Sequence, residues 1–162
     1  MQIFVTVGAQ MPFDRLIAAV DEWADAHPGH TVRAQIGESA LRPAHLAWSR
    51  MLSPAELGRA YDDADVIVGH AGTGTIFAAL EREKPLVVMP RRAALGETRN
   101  DHQIATAARL GARLGVSVAW DERELVARLA TLDQVLPSRA LAPEAGGALV
   151  RAIAAFIDGR LE

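Results

Sequence analysis

The stretch Ala64-Asp65-Val66-Ile67-Val68-Gly69-His70-Ala71-Gly72-Thr73-Gly74-Thr75-Ile76-Phe77-Ala78-Ala79-Leu80 decides the fold of this chain. Its first part is a short apolar, β-branched run, as a parallel strand buried on both faces requires. The glycines come where such a strand must turn. After Gly74 the spacing becomes helical, with Ile76, Phe77 and Leu80 on one face. The order is therefore strand, tight Gly/Thr loop, helix. A loop of this kind presents unpaired backbone N–H groups at a helix N-terminus, where the helix dipole also favours an anion. Two threonine hydroxyls add donors, and the chemistry this suits is binding a phosphate or diphosphate. A second reading stays open here, because Gly-x-Gly turns also simply let a helix pack close to a strand. No Gly-Lys-Ser/Thr follows, which excludes a Walker loop. The third glycine of a dinucleotide fingerprint would fall on Phe77, so that motif fits poorly.

Working outward, the chain alternates strand and helix on both sides. Gln2 to Val7 reads as the first strand, followed by the loop Gly8-Ala9-Gln10-Met11-Pro12. A helix starting near Pro12 carries Phe13, Leu16, Ile17, Val20 and Trp23 and stops at His27-Pro28-Gly29. A second strand spans 31–37, and 44–50 holds a short third one. Ser53-Pro54-Ala55-Glu56 starts a helix to about Asp63, with Leu57 and Tyr61 inward. Beyond the central stretch, a helix 75–83 precedes the buried strand Leu86 to Pro90. A polar loop 91–99 leads to a helix capped by Asn100 or Asp101. A last strand at 116–120 is followed by a helix capped by Asp121, with Leu125, Val126 and Leu129 inward. Residues 131–143 read as irregular and 144–159 as a final helix. The expected fold is α/β, a Rossmann-like three-layer parallel sheet with helices on both faces, in a single domain over 1–162.

Composition narrows the function. The chain has 162 residues, half of them hydrophobic, with a net charge of −3 and no cysteine. That length suits one domain with its own core. The charge gives no electrostatic reason to expect nucleic acid as a partner. Without cysteine there is no disulfide, thiolate metal site or cysteine nucleophile. No His/Asp/Glu spacing suggests zinc, so no metal is expected. The N-terminus opens directly into a strand rather than a signal peptide, and no apolar run nears the roughly 20 residues that span a bilayer. A cytoplasmic protein is expected.

In a parallel α/β sheet, ligands bind beyond the carboxyl ends of the strands. Three loops fall at that edge, 8–12, 70–75 and 90–103, and they carry His70, Arg91, Arg92 and Asp101-His102-Gln103. For His70 two readings are open: a catalytic one, donating to a leaving phosphate or helping a proton transfer, and a structural one, holding its loop through a backbone hydrogen bond. Arg91 and Arg92 either neutralise a diphosphate or are exposed side chains on a mobile loop or at a partner contact. Glu97 either orients Arg91 or touches a hydroxyl. Asp14 complements the dipole of its helix.

Taken together, several blocks resemble the glycosyltransferase family 28 C-terminal domain. They are Phe4-Val5-Thr6-Val7-Gly8 with Pro12-Phe13-Asp14-Arg15-Leu16-Ile17, Gln35-Ile36-Gly37, Leu52-Ser53-Pro54, and His70-Ala71-Gly72-Thr73-Gly74-Thr75-Ile76. Lys84-Pro85-Leu86-Val87-Val88, Pro90-Arg91, Gly96-Glu97 and Asn100-Asp101-His102-Gln103 complete the set, across residues 3 to 115. The form most similar is the stand-alone PssE-type subunit of bacterial exopolysaccharide synthesis. The chain is also similar to the small donor-binding subunit of the eukaryotic dolichol-linked UDP-N-acetylglucosamine transferase and, more distantly, to the C-terminal half of MurG.

The resemblance implies the donor-binding half of a GT-B glycosyltransferase, a hexosyltransferase subunit active with a membrane-anchored PssD-type acceptor subunit. It implies inverting transfer from a UDP-sugar, without a cofactor and without a metal held by Asp-x-Asp, in exopolysaccharide or lipid-linked glycan synthesis. Through its partner the chain would sit at the inner face of the membrane; isolated, it is open to homo-oligomerisation. By the same analogy Gly72, Thr73, Gly74 and Thr75 would cradle the diphosphate. Asp101, His102 and Gln103 would reach the sugar hydroxyls. The backbone near Met51 and Leu52 would contact the uracil, and Gly8 with its loop would line the cleft facing the partner. No residue suits a general base, which is expected in the acceptor subunit. Two positions depart from the pattern. Relatives often carry Glu at Ala78 to hold the ribose; Glu81, on the same helical face, either serves instead or is a solvated helix carboxylate, the reading preferred here, and Ala9-Gln10 stand where a Thr often follows Gly8. The competing expectations are a non-catalytic nucleotide-sugar-binding or assembly subunit, and an unrelated α/β nucleotide-binding enzyme acting alone.

Overall fold

The computed structural model describes residues 1–114 and 116–135, and within them every strand is parallel to its neighbours. In chain order the elements are β1 (Gln2–Thr6), α1 (Asp14–Ala26), β2 (Thr31–Gln35), β3 (Ala47–Ser49), α2 (Pro54–Asp63), β4 (Val66–His70), α3 (Thr73–Glu81), β5 (Leu86–Met89), α4 (His102–Leu114), β6 (Ser117–Val118) and α5 (Glu122–Leu129). The six strands lie in the order β3-β2-β1-β4-β5-β6. The order reverses between β1 and β4, so the loops that leave these two strands diverge to opposite faces and open a crevice there. The expected helix at 144–159 lies outside the described residues.

The period of two along each strand divides the core. Ile3, Val5, Val66, Val68, Val87 and Met89 face α1 and α5, where they meet Leu16, Val20, Trp23, Leu125 and Leu129. Phe4, Ile67, Leu86 and Val88 face the other way, onto Tyr61, Ile76, Leu80 and Ala107 of α2, α3 and α4. Phe4 and Tyr61 meet edge to face, with centroids 5.1 Å apart. This is the three-layer arrangement that alternating strands and helices require.

Local chemistry sets most of the boundaries. Ser53 and Glu56 form a reciprocal capping box, with Pro54 in the first turn of α2. Asp121 caps α5 through Glu124 N at 2.8 Å.

Several boundaries and facings differ from expectation. Helix α1 starts at Asp14, so Pro12 precedes it rather than forming its first turn. Helix α3 starts at Thr73, because Gly72 alone makes the turn in extended backbone and both Thr73 and Gly74 are helical. Its buried stripe is therefore Ile76, Ala79 and Leu80, and Phe77 is only half-buried. Leu57 is half-buried too, and Ala60 and Tyr61 take the inner face of α2. Val126 is exposed, since one residue beyond Leu125 lies about 100° around the helix. Strand β6 is only two residues long because Trp120 N turns away to Glu124 Oε2 at 3.0 Å. Among the described residues no helix is long and apolar enough to cross a membrane.

Candidate functional site

A cleft of about 290 Å³ opens at the carboxyl edge of the sheet, at the reversal between β1 and β4. One wall is the loop after β1, from Val7 to Met11. A second is the end of β4 and the start of α3, His70 to Gly74. A third is the loop after β5 with the first turns of α4: Arg91, Glu97, Thr98, His102, Gln103 and Thr106. The three loops expected at the ligand edge thus meet in one cavity.

The first turn of α3 supplies backbone donors. Ile76 N bonds Gly72 O at 3.1 Å and closes the turn, while the N–H groups nearer the helix start are the orphan donors of that end. Gly72 has no capping side chain, so nothing from the protein competes for them by that route. Thr73 and Gly74 are exposed and line the cleft. Thr75 is buried, and its Oγ1 lies 3.4 Å from His70 Nδ1 behind the wall.

His70 is wedged between two glycines. A Cβ on Gly8 would lie 2.7 Å from His70 Cε1, and one on Gly72 would fall against Nε2 well inside van der Waals contact. Gly8 also holds φ +75°, the left-handed region that glycine tolerates best. Burial pushes the imidazole pKa down to about 4, with the Arg91 charge acting the same way and a hydrogen bond to the Thr6 backbone opposing it. His70 is neutral at pH 7 and brings hydrogen-bonding capacity, not charge.

The cation of the site is Arg91. Its side chain is 3% exposed, so the reading of an exposed arginine on a mobile loop is corrected. The guanidinium donates to Val7 O at 2.7 Å, Pro12 O at 2.7 Å and Glu97 O at 2.9 Å. It also stands over the Phe13 ring, 4.7 Å from the centroid. Burial lowers its pKa and Glu97 partly offsets that; an arginine nonetheless stays charged. Arg92 turns aside, donating to Trp120 O at 2.5 Å.

Three successive amides after β5 each bond a different side chain. Arg91 N donates to Gln103 Oε1 at 3.2 Å, Arg92 N to Glu97 Oε2 at 2.9 Å, and Ala93 N to Asp101 Oδ1 at 2.8 Å. Because its oxygen is fixed by a backbone donor, Gln103 has its amide NH₂ left to offer the cleft. Asp101 does not line the cleft. His102 does, with its Nδ1 against Asn100 Oδ1.

Glu97 neither orients Arg91 through its carboxylate nor hangs free in the cleft. It forms a two-pronged pair with Arg15, Nε to Oε1 at 2.8 Å and Nη2 to Oε2 at 3.0 Å. Sequence reasoning missed this role of Arg15. A signal existed, since a cation in the first turn of a helix opposes the dipole and needs a partner. Asp14, beside it, accepts from Ser39 Oγ at 2.5 Å in addition to its place at the helix start.

Other expected contacts lie away from the cavity. Met51 is exposed and Leu52 half-buried beyond the β3 edge, where Leu52 N donates to Gln35 Oε1 at 3.1 Å. Leu52 shares its apolar cluster with Leu57, Phe77 and Ala78. Glu81 faces solvent beside Arg82. The chain does contain one Asp-x-Asp, Asp63-Ala64-Asp65. It lies at the opposite edge of the sheet, where Asp65 Oδ2 accepts from Gln2 N at 2.7 Å.

Residues 2–146 match the family model described as the glycosyltransferase family 28 C-terminal domain. No curated protein matches the chain in sequence. Among solved structures, the chain is similar to an NMR solution structure of ALG13, with 23% identity over 85% of this chain and 88% of that one and a TM-score of 0.59. It is also similar to Acinetobacter baumannii MurG, with 21% identity over 83% of this chain and a TM-score of 0.59. The glycotransferase of kitacinnamycin is 20% identical over 83% of this chain, with a TM-score of 0.54. The chain spans 42% of that MurG and 35% of the kitacinnamycin enzyme. At these identities the likeness is one of fold, that of the C-terminal half of GT-B glycosyltransferases.

Proposed function

The chain belongs to the glycosyltransferase family 28 C-terminal domain family, and on that premise we propose that it binds the donor of a glycosyl transfer, a UDP-sugar. The observation that carries this is the pairing of charge and donors across the cleft. The open N-terminus of α3 stands on one wall and the buried Arg91 guanidinium on another, while the Glu97 carboxylate is bound to Arg15. Such a site favours an anion with several acceptor oxygens, and a diphosphate is one. In this reading Gly72, Thr73 and Gly74 hold the diphosphate by their backbone, and Gln103 and His102 face the sugar. His70 offers a neutral hydrogen bond to the leaving group. Preorganised donors stabilise the nucleotide as it leaves, and an acceptor hydroxyl attacks the anomeric carbon from the opposite face. That hydroxyl needs a base, which in this reading comes from a separate acceptor-binding chain, membrane-anchored and of PssD type, in exopolysaccharide or lipid-linked glycan synthesis.

Calorimetric titration with UDP, UDP-N-acetylglucosamine, UDP-glucose and UDP-glucuronate tests it. UDP-sugars are expected to bind, and Gln103→Ala to remove the sugar-dependent part while leaving UDP affinity within about threefold, a difference under 1 kcal/mol. Absence of binding with the acceptor chain present refutes it. One observation favours a second reading, a nucleotide-sugar-binding subunit without catalysis. Ala78 offers no carboxylate to the ribose, and Glu81 points to solvent. Sugar transfer by the two chains together excludes that alternative.

A further inference from the structure

Two arginines cross the base of the cleft and neither belongs to a simple ion pair. Arg91 reaches from the loop after β5 to Val7 O and Pro12 O, at the two ends of the loop after β1. Arg15, from the first turn of α1, reaches back to Glu97 and to Pro90 O at 3.3 Å. Glu97 closes the circuit: its carboxylate takes Arg15 and Arg92 N, and its backbone carbonyl takes Arg91. Both the Arg15 and Glu97 side chains are nearly buried, 12% and 10% exposed. Two facing walls of the cavity are thus held together by three residues, Arg91, Glu97 and Arg15, of which Arg15 is not itself in the lining.

We propose that Arg15, Glu97 and Arg91 form a cross-brace that sets the distance between the loop after β1 and the loop after β5. In this role Arg15 and Glu97 are positioning residues: they determine donor affinity through the shape of the cleft, without contacting the donor. The inference rests on the donor-binding reading above.

The physical case is geometric. A charged two-pronged pair fixes direction as well as distance, which a single hydrogen bond does not. Its partners sit on elements far apart in sequence, so no local turn preference replaces them. A misplacement of about 1 Å costs about 100-fold in rate where reacting groups must align, and hydrogen bonds from two walls to one donor depend on the spacing of those walls in the same way.

Charge and shape make opposite predictions for Glu97→Gln. Removing a carboxylate from the wall of an anion site, by electrostatics alone, tightens UDP binding. Breaking the brace weakens it. The experiment is titration of UDP against the wild type, Glu97→Gln, Arg15→Met and the exposed control Glu122→Gln, well below each melting temperature. Glu122 also bonds Arg15, at 3.2 Å, but it is half-exposed and lies in the first turn of α5, outside both loops. The expected result is a loss of about 10-fold or more for each of Glu97→Gln and Arg15→Met, a loss in the Glu97→Gln/Arg15→Met double variant smaller than the two single losses combined, and none for Glu122→Gln. Unchanged or tighter binding by Glu97→Gln overturns the proposal. Amide exchange on the free proteins runs beside it. Protection at residues 91–93 is expected to fall in Arg15→Met while the β1 and β4 amides keep theirs. Should the wild type bind no UDP even with an acceptor chain, the donor reading fails, and the exchange result alone decides the brace: retained protection at 91–93 in Arg15→Met refutes it.

Discussion

Gly72→Ala is the sharpest probe of how the site is packed. Gly72 has φ −82° and ψ 141°, a conformation alanine adopts freely, so backbone strain contributes nothing. The added methyl meets the His70 ring instead, pressed against Nε2 and 2.8 Å from Cδ2. The ring has no easy retreat, because the Gly8 backbone stands close on its other side. Overpacking of this kind costs about 1–3 kcal/mol. For a chain of this length that lowers Tm by about 2–12 °C, at about 2–4 °C per kcal/mol. Two comparisons isolate the cause. Gly74→Ala, two residues on, has no atom within 4 Å of its new methyl and is expected to stabilise by about 0.4–1 kcal/mol. In a His70→Ala background the obstacle is gone, so Gly72→Ala becomes nearly neutral, with a coupling of about 1 kcal/mol or more. Thermal and urea melts of the four proteins of the cycle provide the assay. If Gly72→Ala melts within about 1 °C of wild type, or destabilises equally without His70, the wedged-ring account is refuted.

The remaining predictions concern single groups. His70 titrates near 4 in the fold and near 6.5 unfolded, so the unfolded chain takes its proton first. Its contribution is complete above about pH 6.5 and is lost progressively as pH falls to about 4. The loss amounts to about 3 kcal/mol at most, and His70→Asn should flatten that part of the urea-midpoint profile between pH 4 and 7. Arg91→Lys keeps the charge but cannot span three carbonyls on two loops. It should cost about 2–3 kcal/mol in chemical denaturation, and a loss under 0.5 kcal/mol would show the fork is dispensable. Ser53→Ala removes one half of the capping box and should cost about 1 kcal/mol, with exchange accelerating first in the opening turn of α2.

Much of the fold was legible because its signals are local. Val66-Ile67-Val68 and Leu86-Val87-Val88 are short, β-branched and apolar on every residue, the pattern of a strand covered on both faces. Ser53-Pro54 and Asp121 announce their helices by chemistry acting within four residues. The spacing starts α3 two residues late, since glycine is as compatible with a loop as with a first turn, and in the fold Thr73 and Gly74 are helical. Val126 misled for a related reason: one apolar residue beside Leu125 is compatible with either face until α5 docks.

The sequence by itself determined the alternation of strand and helix, the carboxyl edge where the loops gather, and the family. These follow from periodicity, capping and spacing, all properties of neighbouring residues. Tertiary structure alone decided what the polar residues at that edge do. Arg91 is an internal strut and not an exposed fork, Glu97 answers to Arg15, Gln103 and Asp101 tie down the amides of Arg91 and Ala93, and His70 is held neutral between two glycines. The partners of Arg15 and Arg91 lie 74 to 84 positions away in several cases. No local pattern encodes such a pairing, because it exists only after the strand order has brought β1 and β5 to either side of β4.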